Sequence, residues 1–264
     1  MHFTKMHGLG NDYLYVYGEV PKNVAELSQK LSDRHFGAGS DGIIYISPSD
    51  VADFKMRIFN ADGSEAKMCG NGIRCVGKYV YDKGYTDKQH LKIETLSGIR
   101  YLDLQLAGGK VKTVTVDMGT AVPEKDRTLT VNGAEIVCTP VSVGNPHAVL
   151  FVDDIKKAPL ATLGPQIEHH AAFPGGVNVE FVQVLSENEL RMRVWERGSG
   201  VTMACGTGAC ASVMAAVQKH FCDYNTPVFV HLDGGTLSIR VAADHTVTMT
   251  GPAETVYEGE TEIC

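Results

Sequence analysis

An internal repeat constrains the fold of this chain more than any other feature of its sequence. Matching segments recur at an offset of 136 residues, and one further match has an offset of 134. The matched pairs are 43–46 with 179–182, 56–59 with 192–195, 69–72 with 205–208, and 10–11 with 144–145. Because self-similarity at one period is typical of duplicated architectures, these ordered matches predict two copies of one α/β unit.

The coarse secondary structure agrees with a duplicated, strand-rich unit. Runs of β-branched and aromatic residues predict strands at 13–20, 42–47, 54–60, 112–118, 148–154, 179–185, 191–196, 228–232, 236–242 and 246–251. Helix-like stretches lie at 23–33, 72–84 and 208–220, and the last two each follow a CGxG turn. We therefore predict an α/β (α+β) fold with two pseudo-symmetric halves, each wrapping a central helix, and an active site in the cleft between them.

The predicted halves divide the chain near its middle and return to the first half at its end. The N-terminal half is expected to comprise 1–117 plus 252–264, and the C-terminal half 118–251. The chain has 264 residues, which is long enough for one large or two modest domains.

Charge and hydropathy exclude several classes of partner. The chain carries 24 basic and 31 acidic residues, a net charge of −7, so nucleic acid and anionic membranes are poor partners. It has no apolar stretch of about 20 residues that could span a bilayer. The sequence MHFTKMHGLGNDY at the start lacks the pattern of an export signal, so we expect a cytoplasmic protein.

The cysteines do not form the patterns of a disulfide framework or a structural zinc site. Their number, seven, is odd, and neither a CxxC pair nor zinc-finger spacing to histidine occurs, so we expect no metal. Cys75 and Cys210 are expected to be buried core thiols. Cys138, Cys222 and Cys264 are interpreted as structural or surface thiols. Reactive chemistry is then expected at the two remaining cysteines, Cys69 and Cys205.

The two CGxG turns carry the most specific chemical signal. Each places a cysteine at the start of a predicted helix, where the first backbone N–H groups have no partner within the helix. Those groups and the positive end of the helix dipole favour an anion. A cysteine there is expected to be stabilised as a thiolate, with its pKa below about 8.5. Each turn thus predicts a basic sulfur beside a carboxylate-binding site.

Two such thiols around one bound anion suit inversion at a carbon atom. A thiolate on one face removes the α-proton, and a thiol on the opposite face returns one. The carbanionic intermediate places charge on the α-carboxylate, toward which the two helix N-termini would be directed. The mechanism requires no cofactor, and neither a Schiff-base lysine motif nor a phosphate cup of pyridoxal enzymes is recognisable.

At these residues the sequence resembles the diaminopimelate epimerase family over essentially the whole chain. The motifs that carry the resemblance are FTKMHGLGNDY at 3–13, RIFNADGSEAKMCGNGIRC at 57–75, VSVGNPHAV at 141–149, GGVNVEFV at 175–182 and WERGSGVTMACGTGA at 195–209. The resemblance implies cofactor-independent epimerisation of LL-2,6-diaminopimelate to meso-diaminopimelate, in lysine and peptidoglycan biosynthesis. It also implies the fold shared with proline racemase, and a homodimer.

The resemblance implies roles for individual residues. Cys69 and Cys205 correspond to the catalytic acid/base thiols, and His147 and Glu196 to the polar pair beside them. The substrate-binding residues that it implies are Asn11, Asn60, Gly70, Asn71, Asn145, Asn178, Glu196, Arg197, Gly206 and Thr207. In this set the guanidinium of Arg197 would bind the distal carboxylate, and Glu196 an ammonium group. Amide side chains both donate and accept, which suits a zwitterionic amino acid.

One departure leaves the substrate open. Many members of the family carry Gln after the Asp of a GxGxDQ stretch, whereas this chain reads GAGSDG with Gly42. A racemase of another amino acid, such as histidine, is therefore an alternative, and a non-enzymatic anion-binding module is a second. Both cysteine turns favour an enzyme, and Arg197 with several amides favours a substrate with two carboxylates.

Overall fold

The structure, a computed structural model, describes residues 1–263, so Cys264 lies outside the described residues. Two compact units divide the chain: unit 1 is Met1–Val116 with the chain from Gly251 onward, and unit 2 is Asp117–Thr250.

The described residues form nineteen strands, four α-helices and one short 3-10 helix. The strands are β1 (His2–Gly8), β2 (Asn11–Tyr17), β3 (Gly42–Ser47), β4 (Phe54–Asn60), β5 (Glu65–Ala66), β6 (His90–Thr95), β7 (Gly98–Ala107), β8 (Lys110–Thr120), β9 (Val122–Pro123), β10 (Arg127–Val131), β11 (Ala134–Ser142), β12 (Pro146–Phe151), β13 (Asn178–Ser186), β14 (Glu189–Glu196), β15 (Gly200–Thr202), β16 (Pro227–Leu232), β17 (Gly235–Val241), β18 (Thr246–Pro252) and β19 (Glu254–Glu260). The helices are α1 (Val24–Ser32), α2 (Gly70–Asp82), α3 (Leu160–Glu168) and α4 (Gly206–Gln218), with the 3-10 turn at Ile155–Lys157.

The two units repeat the same strand pairing. In unit 1, β2 pairs in parallel with β3, β3 antiparallel with β4, and β4 in parallel with β6. In unit 2, β12, β13, β14 and β16 repeat this order and these directions. The predicted strand-rich α/β fold with two similar halves is confirmed, and each of the ten predicted strands overlaps an observed one.

One long helix lies among the strands of each unit. Helix α2 packs against β1, β2 and β7, and α4 packs against strands that include β11, β13 and β17. Helix α4 is buried over most of its length because GACASVMAAV is small and mostly apolar on every side. Both helices begin two residues before the predicted starts, because the glycines of each turn already form the first helical turn.

Each unit also contains a shorter helix, and only the first was predicted. Helix α1 buries Leu27 and Leu31 in the core of unit 1, and α3 buries Leu160 and Ile167 in that of unit 2. Helix α3 contains Pro165 and lacks a capping side chain, so its local sequence does not resemble a helix. Its bounds nevertheless lie 136 residues after those of α1, so the repeat could have located it.

Several strands were not predicted because their solvent-facing positions interrupt the apolar pattern. Strand β7, GIRYLDLQLA, alternates exposed and buried residues, and β19 is exposed along nearly its full length. Strand β1 was also not among the predicted strands, although it pairs with both β2 and β19. No helix within residues 1–263 has the length and apolar character needed to cross a membrane.

Candidate functional site

Both predicted thiols cap the N-terminus of the central helix of their unit. Cys69 has φ −137° and ψ 114°, and Cys205 has φ −121° and ψ 110°, so both adopt the extended backbone of an N-cap. The Cys69 sulfur accepts from the Gly72 N–H at 3.3 Å, and the Cys205 sulfur from the Gly208 N–H at 3.4 Å. The repeat thus places two sulfur atoms in equivalent positions at helix N-termini.

The last residue of each CGxG turn, Gly72 or Gly208, has little room for a side chain. A Cβ at Gly72 would meet Ile44 Cδ1 at 2.7 Å, and a Cβ at Gly208 would meet Glu180 Oε1 at 2.7 Å. Ile44 and Glu180 are equivalent under the repeat offset of 136. The same position therefore carries an apolar side chain in unit 1 and a carboxylate in unit 2.

In unit 1 a carboxylate fixes the amide beside Cys69. The Cys69 thiol donates to Asn11 Oδ1 at 3.3 Å, and Asn11 Nδ2 donates to Asp41 Oδ2 at 2.8 Å. Asp41 is itself held by Arg34 Nη2 at 2.8 Å. Because Asp41 accepts from the amide nitrogen, the amide oxygen of Asn11 must face the sulfur. Asp41 was not predicted as a site residue, although it stands beside Gly42 in a glycine-rich turn.

Arg74 places a fully buried positive charge below the first turn of α2. Its Nη1 donates to the Gly70 carbonyl at 3.0 Å, and its Nη2 donates to Asn71 Oδ1 at 3.0 Å. The predicted residues Gly70 and Asn71 therefore lie at the helix start together with Cys69. Asn60 lies elsewhere in unit 1 at the end of β4, and its Nδ2 donates to Ser64 Oγ at 3.1 Å.

In unit 2 the environment of Cys205 is negative and buried, which contradicts the expectation of a stabilised thiolate. Burial raises the pKa of Cys205 well above its usual value, and the nearby charges of Glu196 and Glu180 raise it further. The Thr207 hydroxyl and the Gly208 N–H lower this pKa without reversing the shift. Burial likewise raises the pKa of Glu196, whose carboxylate accepts from the Thr202 hydroxyl. The helix N-terminus lowers the pKa of Cys205, but burial and the two carboxylates raise this pKa by more.

A chain of hydrogen bonds joins the predicted polar residues of unit 2. His147 Nδ1 lies 2.7 Å from Glu180 Oε1, and its Nε2 lies 3.0 Å from Asn145 Oδ1. Asn145 Nδ2 donates to Thr207 Oγ1 at 3.3 Å, and that oxygen lies 3.6 Å from the Cys205 sulfur. His147 is therefore linked to the thiol through two intervening side chains. Glu180 was not predicted as a site residue either. The sequence does distinguish it, because it is the only acidic residue in the apolar run VEFV and aligns with Ile44 in the repeat.

Asn178 and Arg197 form a separate group at the ends of β13 and β14. Asn178 is buried, its Oδ1 accepts from the Arg197 N–H at 3.0 Å, and its Nδ2 donates to the Pro146 carbonyl at 2.9 Å. The Arg197 side chain is exposed, and its Nη1 donates to the Gly175 carbonyl at 3.0 Å. Asn178 therefore fixes the backbone that carries the guanidinium.

The backbone at Gly42, where many members of the family carry Gln, leaves no space for a side chain. Gly42 has φ +153°, and a Cβ there would lie 2.2 Å from the Phe59 carbonyl oxygen and 2.9 Å from Tyr13 Cε1. No side chain fits this position without a backbone shift.

The described cysteines outside the turns are buried. Cys75 and Cys210 have no exposed surface, which confirms their prediction as core thiols, and Cys138 and Cys222 are also buried. Burial raises the pKa of Cys75, Cys138 and Cys222 to about 11, so these thiols are poor nucleophiles at neutral pH. Among the residues that the structure describes, no three His, Cys, Asp or Glu side chains are grouped to hold a metal ion.

Comparison with known proteins gives consistent matches over the whole chain. The family model for diaminopimelate epimerase matches residues 3–123 and 139–256. Diaminopimelate epimerase of Acetivibrio thermocellus is 50% identical over 279 residues, covering 100% of this chain and 99% of that protein. The enzyme of the same name from Methanococcus maripaludis is 50% identical, with 100% of both chains covered. A crystal structure of a hydroxyproline epimerase from Agrobacterium vitis, with bound trans-4-OH-L-proline, shares the fold with a TM-score of 0.75 at 19% identity, covering 99% of this chain and 90% of that one.

Proposed function

Since the chain belongs to the diaminopimelate epimerase family, we propose that it interconverts LL- and meso-2,6-diaminopimelate by a two-base mechanism. The observation that carries this proposal is the equivalent capping of two helices by Cys69 and Cys205. A cysteine with a purely structural role has no reason to recur at equivalent helix N-termini. Two acid/base groups that act on one C–H centre do have such a reason, because inversion requires one of them on each face.

In the proposed reaction one sulfur accepts the α-proton as a thiolate while the other, a thiol, delivers its proton to the opposite face. The α-C–H bond breaks as an S–H bond forms on one face, and the other S–H bond breaks as a C–H bond forms on the opposite face, so the two sulfurs end with their protonation states exchanged. The intermediate carries its charge on the α-carboxylate. The first-turn N–H groups of Gly70-Asn71 and Gly206-Thr207 are proposed to stabilise that charge, since helix N-termini attract anions.

The environment of each sulfur supports a starting protonation state. Cys205 is buried beside Glu196 and Glu180, which raises its pKa, so we propose that Cys205 is the thiol in the resting enzyme. Cys69 would then act first as the base, at the N-terminus of α2, after the proton that it donates to Asn11 Oδ1 has left. After one inversion Cys205 is the thiolate and Cys69 is the thiol. The reverse reaction, from meso- to LL-diaminopimelate, starts from that state.

The remaining predicted residues are proposed to select the substrate. Arg197 has an exposed guanidinium, which suits the distal carboxylate of a molecule with two carboxylates. Glu196 is proposed to accept from an ammonium group, and Asn60, Asn145 and Asn178 to supply amide contacts. Family membership supports these assignments.

We also propose that the enzyme works without pyridoxal phosphate or a metal ion, as a cytoplasmic homodimer. The support for the first point is that proton transfer between sulfur and carbon needs no electron sink if the carboxylate is stabilised. The support for the homodimer and the location is the resemblance to the family. Light scattering of the purified chain tests the dimer: a mass of one chain would contradict it.

Loss of the α-hydrogen of diaminopimelate in D₂O tests the function directly. Reduced, chelator-treated protein is expected to exchange it, whereas Cys69→Ala and Cys205→Ala should each lose activity by a factor of about 10³ or more, as expected for removal of a general acid or base. Cys222→Ala is the matched control, because it removes a thiol remote from the capped turns. Faster racemisation of histidine than epimerisation of diaminopimelate would contradict the substrate, and full activity of Cys69→Ala would contradict the mechanism.

A further inference from the structure

Glu180 is a carboxylate placed where the repeated unit has an apolar side chain. It lies in the middle of β13, within the sequence NVEFV, and has no exposed surface. Its equivalent in unit 1, Ile44, is also fully buried, and both side chains lie against the last glycine of a CGxG turn. Burial of a charged group costs several kcal/mol unless it is compensated, so a charge at this position calls for a specific reason.

His147 is the partner that compensates this charge. Both side chains are fully buried, and His147 Nδ1 lies 2.7 Å from Glu180 Oε1. The other oxygen, Glu180 Oε2, has no hydrogen-bond partner in the described part of the chain, so the contact with His147 provides the stabilisation that the structure gives to Glu180. The equivalents of these two residues in unit 1 are Tyr13 and Ile44, which cannot form an ion pair.

The hydrogen bonds beyond His147 have a defined direction. Asn145 uses its amide nitrogen to donate to Thr207 Oγ1, so its oxygen, 3.0 Å from His147 Nε2, is an acceptor. His147 Nε2 then donates to that oxygen, and His147 Nδ1 shares a hydrogen with Glu180 Oε1 on the other side of the ring. Since Thr207 Oγ1 accepts from Asn145, its own hydrogen can be donated to the Cys205 sulfur, 3.6 Å away.

We propose that Glu180 is a positioning residue for Cys205, acting through His147, Asn145 and Thr207. Glu180 holds the ring of His147 in place, His147 fixes the amide of Asn145, and the amide directs the Thr207 hydroxyl toward the sulfur. The hydrogen bond from that hydroxyl stabilises the thiolate that Cys205 becomes after it has delivered its proton, and it outweighs the repulsion from the Glu180 carboxylate. The inference rests on the proposed function, in which Cys205 alternates between thiol and thiolate.

A double-mutant cycle separates this role from a merely structural one. Glu180→Gln keeps the size of the side chain and removes its charge. By analogy with carboxylates that orient a histidine in other sites, we expect kcat for diaminopimelate to fall about 10- to 100-fold, with KM changed by less than about threefold. In the His147→Gln background the same change should have almost no further effect, because the connection to Cys205 is already broken. Ile44→Val, at the equivalent position of unit 1, is the matched control and should keep kcat within about twofold, since it removes a single methylene.

The ring of His147 gives a readout independent of turnover. In protein labelled with ¹⁵N-histidine, resonances absent from His147→Gln identify His147. The ¹⁵N shifts of these ring nitrogens should change in Glu180→Gln, because the partner of Nδ1 changes, and should stay at their wild-type values in Ile44→Val. An active wild type with unchanged kcat in Glu180→Gln, or equal losses in both backgrounds of the cycle, would overturn this inference alone. Absence of exchange by the wild type would overturn the proposed function, and the ¹⁵N spectra would still decide whether Glu180 holds the ring of His147.

Discussion

The last glycines of the two CGxG turns, Gly72 and Gly208, are equivalent in sequence but differ in what surrounds them, which makes Gly208→Ala and Gly72→Ala a matched pair. A methyl group at position 72 would meet the ends of two flexible side chains, Ile44 Cδ1 at 2.7 Å and Met56 Cε at 3.2 Å. A methyl group at position 208 would meet Glu180 Oε1 at 2.7 Å and Glu180 Cγ at 3.2 Å. The carboxylate is held by His147, so it cannot move without losing its partner.

The magnitudes follow from these neighbours. Alanine gains about 0.5–1 kcal/mol over glycine in a helix, and overpacking of a core costs about 1–3 kcal/mol. For Gly72→Ala the gain in helix propensity offsets part of the packing cost, so we expect the free energy of unfolding to fall by about 1 kcal/mol. Gly208→Ala also displaces the buried Glu180 carboxylate from its hydrogen bond with His147, and a hydrogen bond to a charged group is worth about 1.5–3 kcal/mol. We expect a loss of about 3 kcal/mol for that variant, because this loss adds to the packing cost.

Urea unfolding of both variants, followed by circular dichroism and by Trp195 fluorescence, measures the two losses. The difference between them should be about 2 kcal/mol, given equal slopes against urea. Gly208→Ala should also lose more kcat than Gly72→Ala, because it disturbs the connection from Glu180 to Cys205. Equal stability losses in the two variants would refute the reasoning, since it depends on the contrast between a fixed carboxylate and an adaptable isoleucine.

Two further predictions concern the orienting carboxylate of unit 1 and the buried thiols. Asp41→Asn removes the charged acceptor that orients Asn11. We therefore expect kcat/KM to fall roughly 10-fold, which is the scale of a hydrogen bond to a charged group. An unchanged kcat/KM would show that Asp41 does not orient the amide. Burial raises the pKa of Cys75 and Cys138 to about 11. At a pH between about 8.5 and this value, both thiols are protonated in the folded chain and ionised in the unfolded chain. The stability they contribute is complete below about pH 8.5, and above it the free energy of unfolding should fall by roughly 1.4 kcal/mol per pH unit for each thiol until the folded-state pKa is reached. Urea titrations from pH 8 to 10 measure this slope, which Cys75→Ala should reduce; an identical slope in that variant would contradict the assignment.

The duplicated architecture and the family could be predicted from the sequence because both depend on local patterns. The repeat offset placed equivalent strands and both capped helices, and the long motifs around Cys69 and Cys205 identified the family. The short helix α3 was missed because Pro165 and an uncapped start hide it from local rules. The offset from α1 would have located it, since a repeat carries information that propensity lacks.

The protonation of the site could not be predicted from motif and helix position alone. A cysteine at a helix N-terminus suggests a lowered pKa, but for Cys205 the burial and the neighbouring Glu196 and Glu180 determine the direction. Both effects depend on tertiary packing. The repeat already showed Glu180 as an acidic residue that aligns with Ile44. Its partner His147 becomes apparent only from the pairing of β12 with β13.

The central claim, that two thiols act on opposite faces of one carbon, is tested most directly by following the first turnovers of LL-diaminopimelate in D₂O. With two bases, the proton delivered to the product comes from a sulfur that has equilibrated with solvent. The earliest meso product should therefore carry deuterium at the inverted carbon, while unreacted LL substrate still carries hydrogen. Early product that retains the hydrogen of the substrate would mean that a single group removes and returns the proton, and would contradict the two-base mechanism.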